Sequence, residues 1–324
     1  MYTIEAIQEK VKQSFGKQNF MDEPKLLYEP ISYTLEDGGK RLRPVLLLAA
    51  CDLFDGDCNQ ALNAAIGIEI FHNFTLLHDD IMDKSAMRRG KETVYKRWNE
   101  NIAILSGDTM FAMAYRYFLK TPHSNLHQIL DVFTETAIDV CNGQQYDMDF
   151  ETQSDVSLTE YLTMIRKKTA VLLAGALKIG SLYANCSKTD REHLYEFGIN
   201  IGLAFQLQDD LLDSFGDEKT FGKPIGTDIK DNKKTFLYLK ALEQASVEER
   251  NTLCKWFSET LTDNTEKIKS VLSIYDKLDI KRITEKEIEN YFSKGLQELE
   301  MINAENDKKE PLRRFVNQLL GRKY

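Results

Sequence analysis

Proline is scarce in this sequence. There are six in 324 residues, with none between Pro122 and Pro224 or between Pro224 and Pro311, so most of the chain contains nothing that would interrupt a helix. Cysteine is thin as well. Cys51, Cys58, Cys141, Cys186 and Cys254 are odd in number and never spaced as C-x-x-C, which suggests neither a disulfide framework nor a zinc site. Positive charge is in deficit, with 42 Lys and Arg against 51 Asp and Glu and a net charge of −9. The broad basic field that nucleic acids and anionic membranes require is missing, so any phosphate chemistry must be local. No apolar run reaches the length of a membrane span, and the opening "MYTIEAIQEKVKQSFGKQNF" is amphipathic and charged, without the apolar core of a signal peptide. The expectation is a cytoplasmic protein with no membrane span and no nucleic-acid partner.

Windows that read as strands bounded by Gly and Pro turns are also missing. What is present reads as helix. In "AAIGIEIFHNFTLLHDDIMD" the apolar positions Ile66, Ile70, Phe74, Leu77 and Ile81 recur at three- and four-residue intervals; Phe197, Ile201, Phe205, Gln208 and Leu212 mark a second such stripe. The segment "FGINIGLAFQL", 197 to 207, is apolar enough to lie inside a bundle. The fold class expected is all-α, and nothing in residues 1–324 looks like a linker, so the expectation is a single domain.

Both apolar helices end in aspartates. Asp79, Asp80 and Asp83 form D-D-x-x-D, and Asp209, Asp210 and Asp213 repeat it in "FQLQDDLLDSFGD". On a helix, positions i and i+4 lie one above the other, so Asp79 and Asp83 present two carboxylates on one face. Like charges so placed repel, and carboxylate oxygens are the hard ligands that Mg²⁺ accepts while keeping water and phosphate oxygens. One such motif is more often a solvated helix end; two, each closing an interior-type helix, are hard to explain as surface decoration.

Basic clusters flank the aspartates: Lys40, Arg41 and Arg43 in "GGKRLRP", Arg88 and Arg89 in "MRRG", and Lys223, Lys230, Lys233 and Lys234 in "FGKPIGTDIKDNKKT". Arginine offers a planar fork to phosphate oxygens and lysine a compact charge. In an acidic chain this implies a small, highly anionic ligand such as a diphosphate, although each cluster alone reads as a solvated face and Lys230 is read as one. His72 and His78 on the first apolar helix read as structural histidines. His123 and His127, around "SNL", lack carboxylates and read as a loop or helix start.

These motifs, with "LSGDTMFAMA", "GQQYDMDF" and "RKKTAVLLAGAL" in between, resemble the trans-prenyl diphosphate synthases, chain elongators that make farnesyl, geranylgeranyl and longer diphosphates. The resemblance runs through most of the chain. It implies one large helical bundle with a central cavity, of the isoprenoid synthase type. It implies Mg²⁺ held by Asp79, Asp80, Asp83, Asp209, Asp210 and Asp213 against the diphosphate of an allylic substrate. Arg88, Lys168, Lys223 and Lys233 would complete that grip, and Lys40, Arg43, His72 and Arg89 would hold isopentenyl diphosphate. Thr169 and Gln206 match positions lining the reacting centre, Gln144 and Asp147 match the family's "GQ-x-x-D" helix, and Lys234 and Arg322 are weaker matches. A homodimer is implied as well.

Product length is expected to be set on the first aspartate helix. At a rise of about 1.5 Å per residue, Phe74 lies roughly 7 Å and Phe71 roughly 12 Å along the axis before Asp79. A bulky ring there would stop a growing chain. Short-chain members carry an aromatic five positions before the first aspartate, as Phe74 does; farnesyl synthases often add a second one where this chain has Thr75. The expectation is a short-chain product, C20 ahead of C15. Met110, Met113 and Met148 read as core filler or pocket lining. Two other functions fit the motifs less well. A class I terpene cyclase would lack the second D-D-x-x-D and "GKPIGTDIKDNKKT", and a non-catalytic regulatory subunit would have lost an aspartate motif or its lysines; neither loss is seen.

Overall fold

The computed structural model describes residues 2–36, 39–216, 225–259 and 261–321. Lys223, Pro224 and Arg322 lie outside them. Among the described residues the chain is almost wholly helical, as expected: α1 Ile4–Gly16, α2 Lys25–Glu36, α3 Leu42–Leu53, α4 Cys58–Met82, α5 Val94–Arg97, α6 Glu100–Phe118, α7 Leu126–Thr152, α8 Leu158–Ile165, a π-helical turn Arg166–Ala170, α9 Val171–Tyr183, α10 Lys188–Phe215, α11 Thr227–Lys230, α12 Phe236–Gln244, α13 Val247–Ser258, α14 Thr265–Lys277, α15 Ile280–Met301 and α16 Asn306–Leu320. No described helix is long and apolar enough to cross a membrane.

One departure from the all-helical expectation is a small antiparallel hairpin, β1 Met87–Arg88 with β2 Lys91–Glu92. Its two-residue turn, Arg89–Gly90, has φ of 52° and 78°. Two successive positive φ values match the right-handed twist of paired strands, and Gly takes the second without a Cβ penalty.

The residues cluster into two compact units: Met1–Glu135 with Gly175–Tyr195 and Ile302–Leu312, and Thr136–Ala174 with Glu196–Met301 and Arg313–Tyr324. In the first, α4 packs on α3 and α6, and α2 on α6. Helix α4 starts where Asp57 accepts the Asn59 amide at 2.9 Å, and buries Ala61, Ala64, Ile66, Ile68, Ile70 and Phe71. Each fully buried large side chain contributes about 1.5–3 kcal/mol over an exposed one. Gly180 sits so close to the Leu47 carbonyl that a Cβ would lie 2.0 Å from its oxygen, so only glycine lets those two backbones meet. In the second unit, α12 packs against α15, α8, α13 and α14 around Phe236, Leu237, Leu253, Val271 and Tyr275. The stripe on α10 is interior as expected: Phe197, Ile201, Leu207, Gln208 and Leu212 are buried.

Met110 and Met113 are core residues, whereas Met148 is 38% exposed and so is not core filler. His127 pairs with Asp131 on the exposed first turns of α7, while His123 packs on the Tyr183 ring, so the two histidines form no metal pair.

Candidate active site

The first aspartate motif closes α4. Asp79 and Asp80 lie in its last turn, and Asp83 caps it, its amide donating to the Asp79 carbonyl at 2.8 Å. This is the negative end of the helix dipole, where carboxylates are unfavourable unless a cation joins them. Asp80 is 5% exposed, and burial pushes it up to about 6 even though Arg88 Nε donates to its Oδ1 at 2.7 Å. The hairpin is what folds Arg88 back onto Asp80. Asp79 is half-buried and Asp83 exposed.

Three of the residues assigned to isopentenyl diphosphate, His72, Arg43 and Arg89, come together at the same helix. Burial and then the Arg43, Arg89 and Arg88 guanidiniums hold the His72 imidazole well below its usual range. Arg43, its Nε enclosed, is lowered to about 10 by burial. The Arg89 guanidinium lies against Gly39, where a Cβ would come within 2.8 Å of it. Lys40 is exposed. The sequence did not single out Glu69, one turn before His72 and 5% exposed, whose carboxyl burial raises while Arg43, Arg41 and Arg89 pull it down. A glutamate amid apolar neighbours gave no pattern by which to find it.

Below Asp79, Phe74 is half-buried and Phe71 fully buried, their centroids 5.5 Å apart. Phe111 of α6 meets both, at 5.3 Å from Phe74 and 5.7 Å from Phe71, and Phe133 meets Phe71 edge-on at 5.2 Å. The aromatic pair expected on one helix is therefore part of a cluster from three, and Phe111 was not flagged by the sequence. Thr75 turns its hydroxyl onto its own helix, donating to the His72 carbonyl at 2.8 Å. His78 is structural as expected, its ring on Phe74 at 4.7 Å and its Nε2 3.2 Å from the Ile104 carbonyl.

In the second unit, the turn carrying Lys168 and Thr169 is π-helical, Arg166–Ala170. Such wide turns displace side chains from the regular helical positions and recur at functional sites. Two glycines make room for it. A Cβ on Gly143 of α7 would lie 2.2 Å from the Lys168 amide nitrogen, and one on Gly202 of α10 would lie 2.5 Å from the Ala170 Cα. Lys168 Nζ donates to Asp147 Oδ2 at 2.7 Å, and Lys233 reaches the same oxygen at 3.7 Å and Glu151 at 2.9 Å. Burial opposes ionisation of Asp147, yet the two lysines hold it below the usual carboxylate range. Gln144, on the same helix as Asp147, is 8% exposed. The Lys234 ammonium donates to the Phe150 carbonyl.

The second aspartate motif lies in the last two turns of α10. Thr169 Oγ1 donates to Gln206 Oε1 at 3.0 Å, and Gln206 Nε2 to Asp210 Oδ1 at 3.1 Å. The Tyr161 hydroxyl donates to the other oxygen of Asp210. Burial pushes Asp210 up to about 7, against these two donors. Asp213 Oδ2 accepts the Asp228 amide at 3.0 Å, tying α10 to α11, and Asp209 is half-buried. Tyr161 was also missed: in "SLTEYLTMI" it reads as one more apolar-face aromatic. Among the described residues no group of three or more His, Cys, Asp or Glu side chains forms a ready metal nest. The donor chemistry nonetheless fits Mg²⁺. Both motifs are all-oxygen, crowd carboxylates at a helix C-terminus, and contain one carboxylate that the protein alone pushes towards protonation, a penalty that a divalent cation would remove.

The family model described as polyprenyl synthetase matches residues 24–275. The chain belongs to the polyprenyl synthetase family. It is 40% identical over 237 residues to a short chain isoprenyl diphosphate synthase of Methanocaldococcus jannaschii, covering 73% of this chain and 72% of that one. It is 36% identical over 292 residues to a geranylgeranyl diphosphate synthase of Sulfolobus acidocaldarius, covering 88% and 87%. A crystal structure of a geranylgeranyl pyrophosphate synthase superposes with a TM-score of 0.95 at 44% identity over all of both chains. The resemblance drawn from the aspartate and lysine motifs is thereby borne out, and with it an all-α trans-prenyltransferase.

Proposed function

We propose that this polyprenyl synthetase condenses isopentenyl diphosphate head-to-tail with an allylic diphosphate (dimethylallyl, geranyl or farnesyl) to give a short all-trans prenyl diphosphate, C20 ahead of C15. The observation that carries this reading is the pairing of Lys168 and Lys233 on Asp147 beside the π-helical turn, two cations in the same unit as the second aspartate motif. Such an arrangement suits an anion that must be gripped and then released.

The allylic C–O bond breaks with its electron pair leaving on diphosphate; the π electrons of isopentenyl diphosphate form the new C–C bond, and the resulting cation loses a proton to the released diphosphate. Asp79, Asp80 and Asp83, with Asp209, Asp210 and Asp213, would hold Mg²⁺, which when bound supplies positive charge to the departing diphosphate. Arg88, Lys168 and Lys233 add fixed cations to that end, and Lys223 is assigned there from its motif alone. Lys40, Arg43, His72 and Arg89 bind isopentenyl diphosphate. Thr169 and Gln206 orient the reacting end through their mutual hydrogen bond. Apolar walls keep water from the allylic cation.

Phe74, backed by Phe71 and Phe111, supports a stop to growth at C20. The same reading makes the protein a cytoplasmic homodimer, to which the exposed Ile104 and Leu105 of α6 would contribute apolar surface, and sedimentation checks that assignment. Product mass after incubation with isopentenyl diphosphate and each of the three primers tests the activity. A C20 product from all three supports it; diphosphate release without elongation would make the chain a cyclase, and C15 or C25 would move the floor.

A further inference from the structure

Helix α14 carries a lysine with no exposed surface. Lys267 is 0% exposed, and lysine is almost never fully buried unless its ammonium is well partnered. The partners here are two oxygens of one short segment. Lys267 Nζ donates to the Asn232 side-chain oxygen at 2.5 Å and to the Lys230 carbonyl at 3.3 Å, and lies 5.6 Å from the centre of the Phe257 ring. Lys230 ends α11, so the ammonium sits where helix carbonyls lack partners and the dipole favours a cation.

Asn232 is the critical recipient. Its φ of 58° lies in the left-handed region, which asparagine tolerates better than most residues, and its Nδ2 donates to the Glu259 carbonyl at 3.2 Å. The side chain is thus held at both its oxygen and its nitrogen. The next residue is Lys233, whose amide donates to the Asp228 carbonyl at 2.9 Å and whose ammonium reaches Glu151 and Asp147. The neighbouring Ile268 packs on Gly226 at the start of α11, where a Cβ would lie 2.9 Å from its Cγ2. Helix α14 therefore grips both ends of the short segment 226–232 that leads into the Lys233–Lys234 pair. Apolar packing would anchor such a segment; a three-donor ammonium inside the protein does more, because it fixes the direction in which the chain leaves the turn.

We infer that Lys267 is a positioning residue for Lys233, acting through Asn232 to aim that ammonium at the allylic diphosphate; the inference rests on the synthase reading above. The test is steady-state kinetics of full-length Lys267→Met and Asn232→Ala. Each is expected to raise KM for geranyl diphosphate about tenfold and to leave KM for isopentenyl diphosphate within about twofold. The double variant is expected to be no worse than the more impaired single one, as for residues acting in series. An unchanged KM for geranyl diphosphate, or equal losses in both KM values together with a lowered Tm, would overturn it. If Lys267→Met does not fold, Asn232→Ala decides by the same criteria. If the unaltered protein elongates no primer, the synthase reading fails. The positioning role is then decided by calorimetry of inorganic diphosphate with Mg²⁺: weaker binding in the variants supports it and equal binding overturns it.

Discussion

Asp79 and Asp209 are the side chains on which turnover is expected to depend most. Each belongs to a carboxylate cluster at a helix C-terminus that opposes the metal-free fold. Asp79→Ala and Asp209→Ala are therefore expected to lower kcat/KM by about a thousandfold, roughly 4 kcal/mol of transition-state stabilisation, while leaving Tm unchanged or slightly raised. Turnover retained in either would remove that carboxylate from the metal-binding assignment. Phe74→Ala removes the half-buried ring nearest the aspartates but leaves Phe71 and Phe111 behind it. The product is expected to lengthen by one or two five-carbon units, read by mass. An unchanged product would place the floor at the fully buried Phe71 and its half-buried neighbour Phe111. His72 makes a separate prediction about stability. Its pKa is lowered in the fold, so the unfolded chain binds the extra proton. This group's contribution is intact above about pH 6.5 and is lost as pH falls below it, at up to about 1.4 kcal/mol per pH unit. His72→Gln should flatten the acid side of the stability curve measured by denaturant titration without ligand, and an identical acid limb would show that the imidazole is protonated in the fold.

At the scale of elements, the π-helical turn and its two glycines are what present Lys168 and Thr169. Gly143→Ala would drive a methyl group into the Lys168 backbone, which has no flexible end to give way. The expected cost is about 1–3 kcal/mol, seen as a fall in Tm, with a larger fall in kcat/KM because Lys168 moves. An active, fully stable Gly143→Ala would mean that the turn tolerates the shift. These elements also show which features the sequence could reveal. The stripes on α4 and α10 were legible because burial of one face imposes a period of about 3.6 residues, and the aspartate motifs were legible because they repeat. The π turn was not, since "RKKTA" carries no mark of a register change made by tertiary packing. The hairpin was passed over because "RRGK" is brief and lacks flanking β-branched residues. Tyr161, Glu69, Phe111 and Lys267 were invisible for a common reason: each acquires its role from a partner distant in sequence, and locally each looks like core or solvated face.

For the whole molecule, a net charge of −9 leaves no general basic field, so the proposed chemistry rests on a few local basic clusters. Lys233 with Lys168, and Arg88 with the Arg43–Arg89–His72 group, are such clusters, each balanced by a buried or half-buried carboxylate. An enzyme so arranged should bind a diphosphate only as strongly as its divalent cation allows. The most direct measurement of the central claim is continuous diphosphate release by the purified protein with geranyl diphosphate, with and without isopentenyl diphosphate and across a Mg²⁺ titration. The account predicts release that needs both isopentenyl diphosphate and Mg²⁺ and that matches new C–C bonds one for one. Release independent of isopentenyl diphosphate, or no release at any Mg²⁺ concentration, would contradict it.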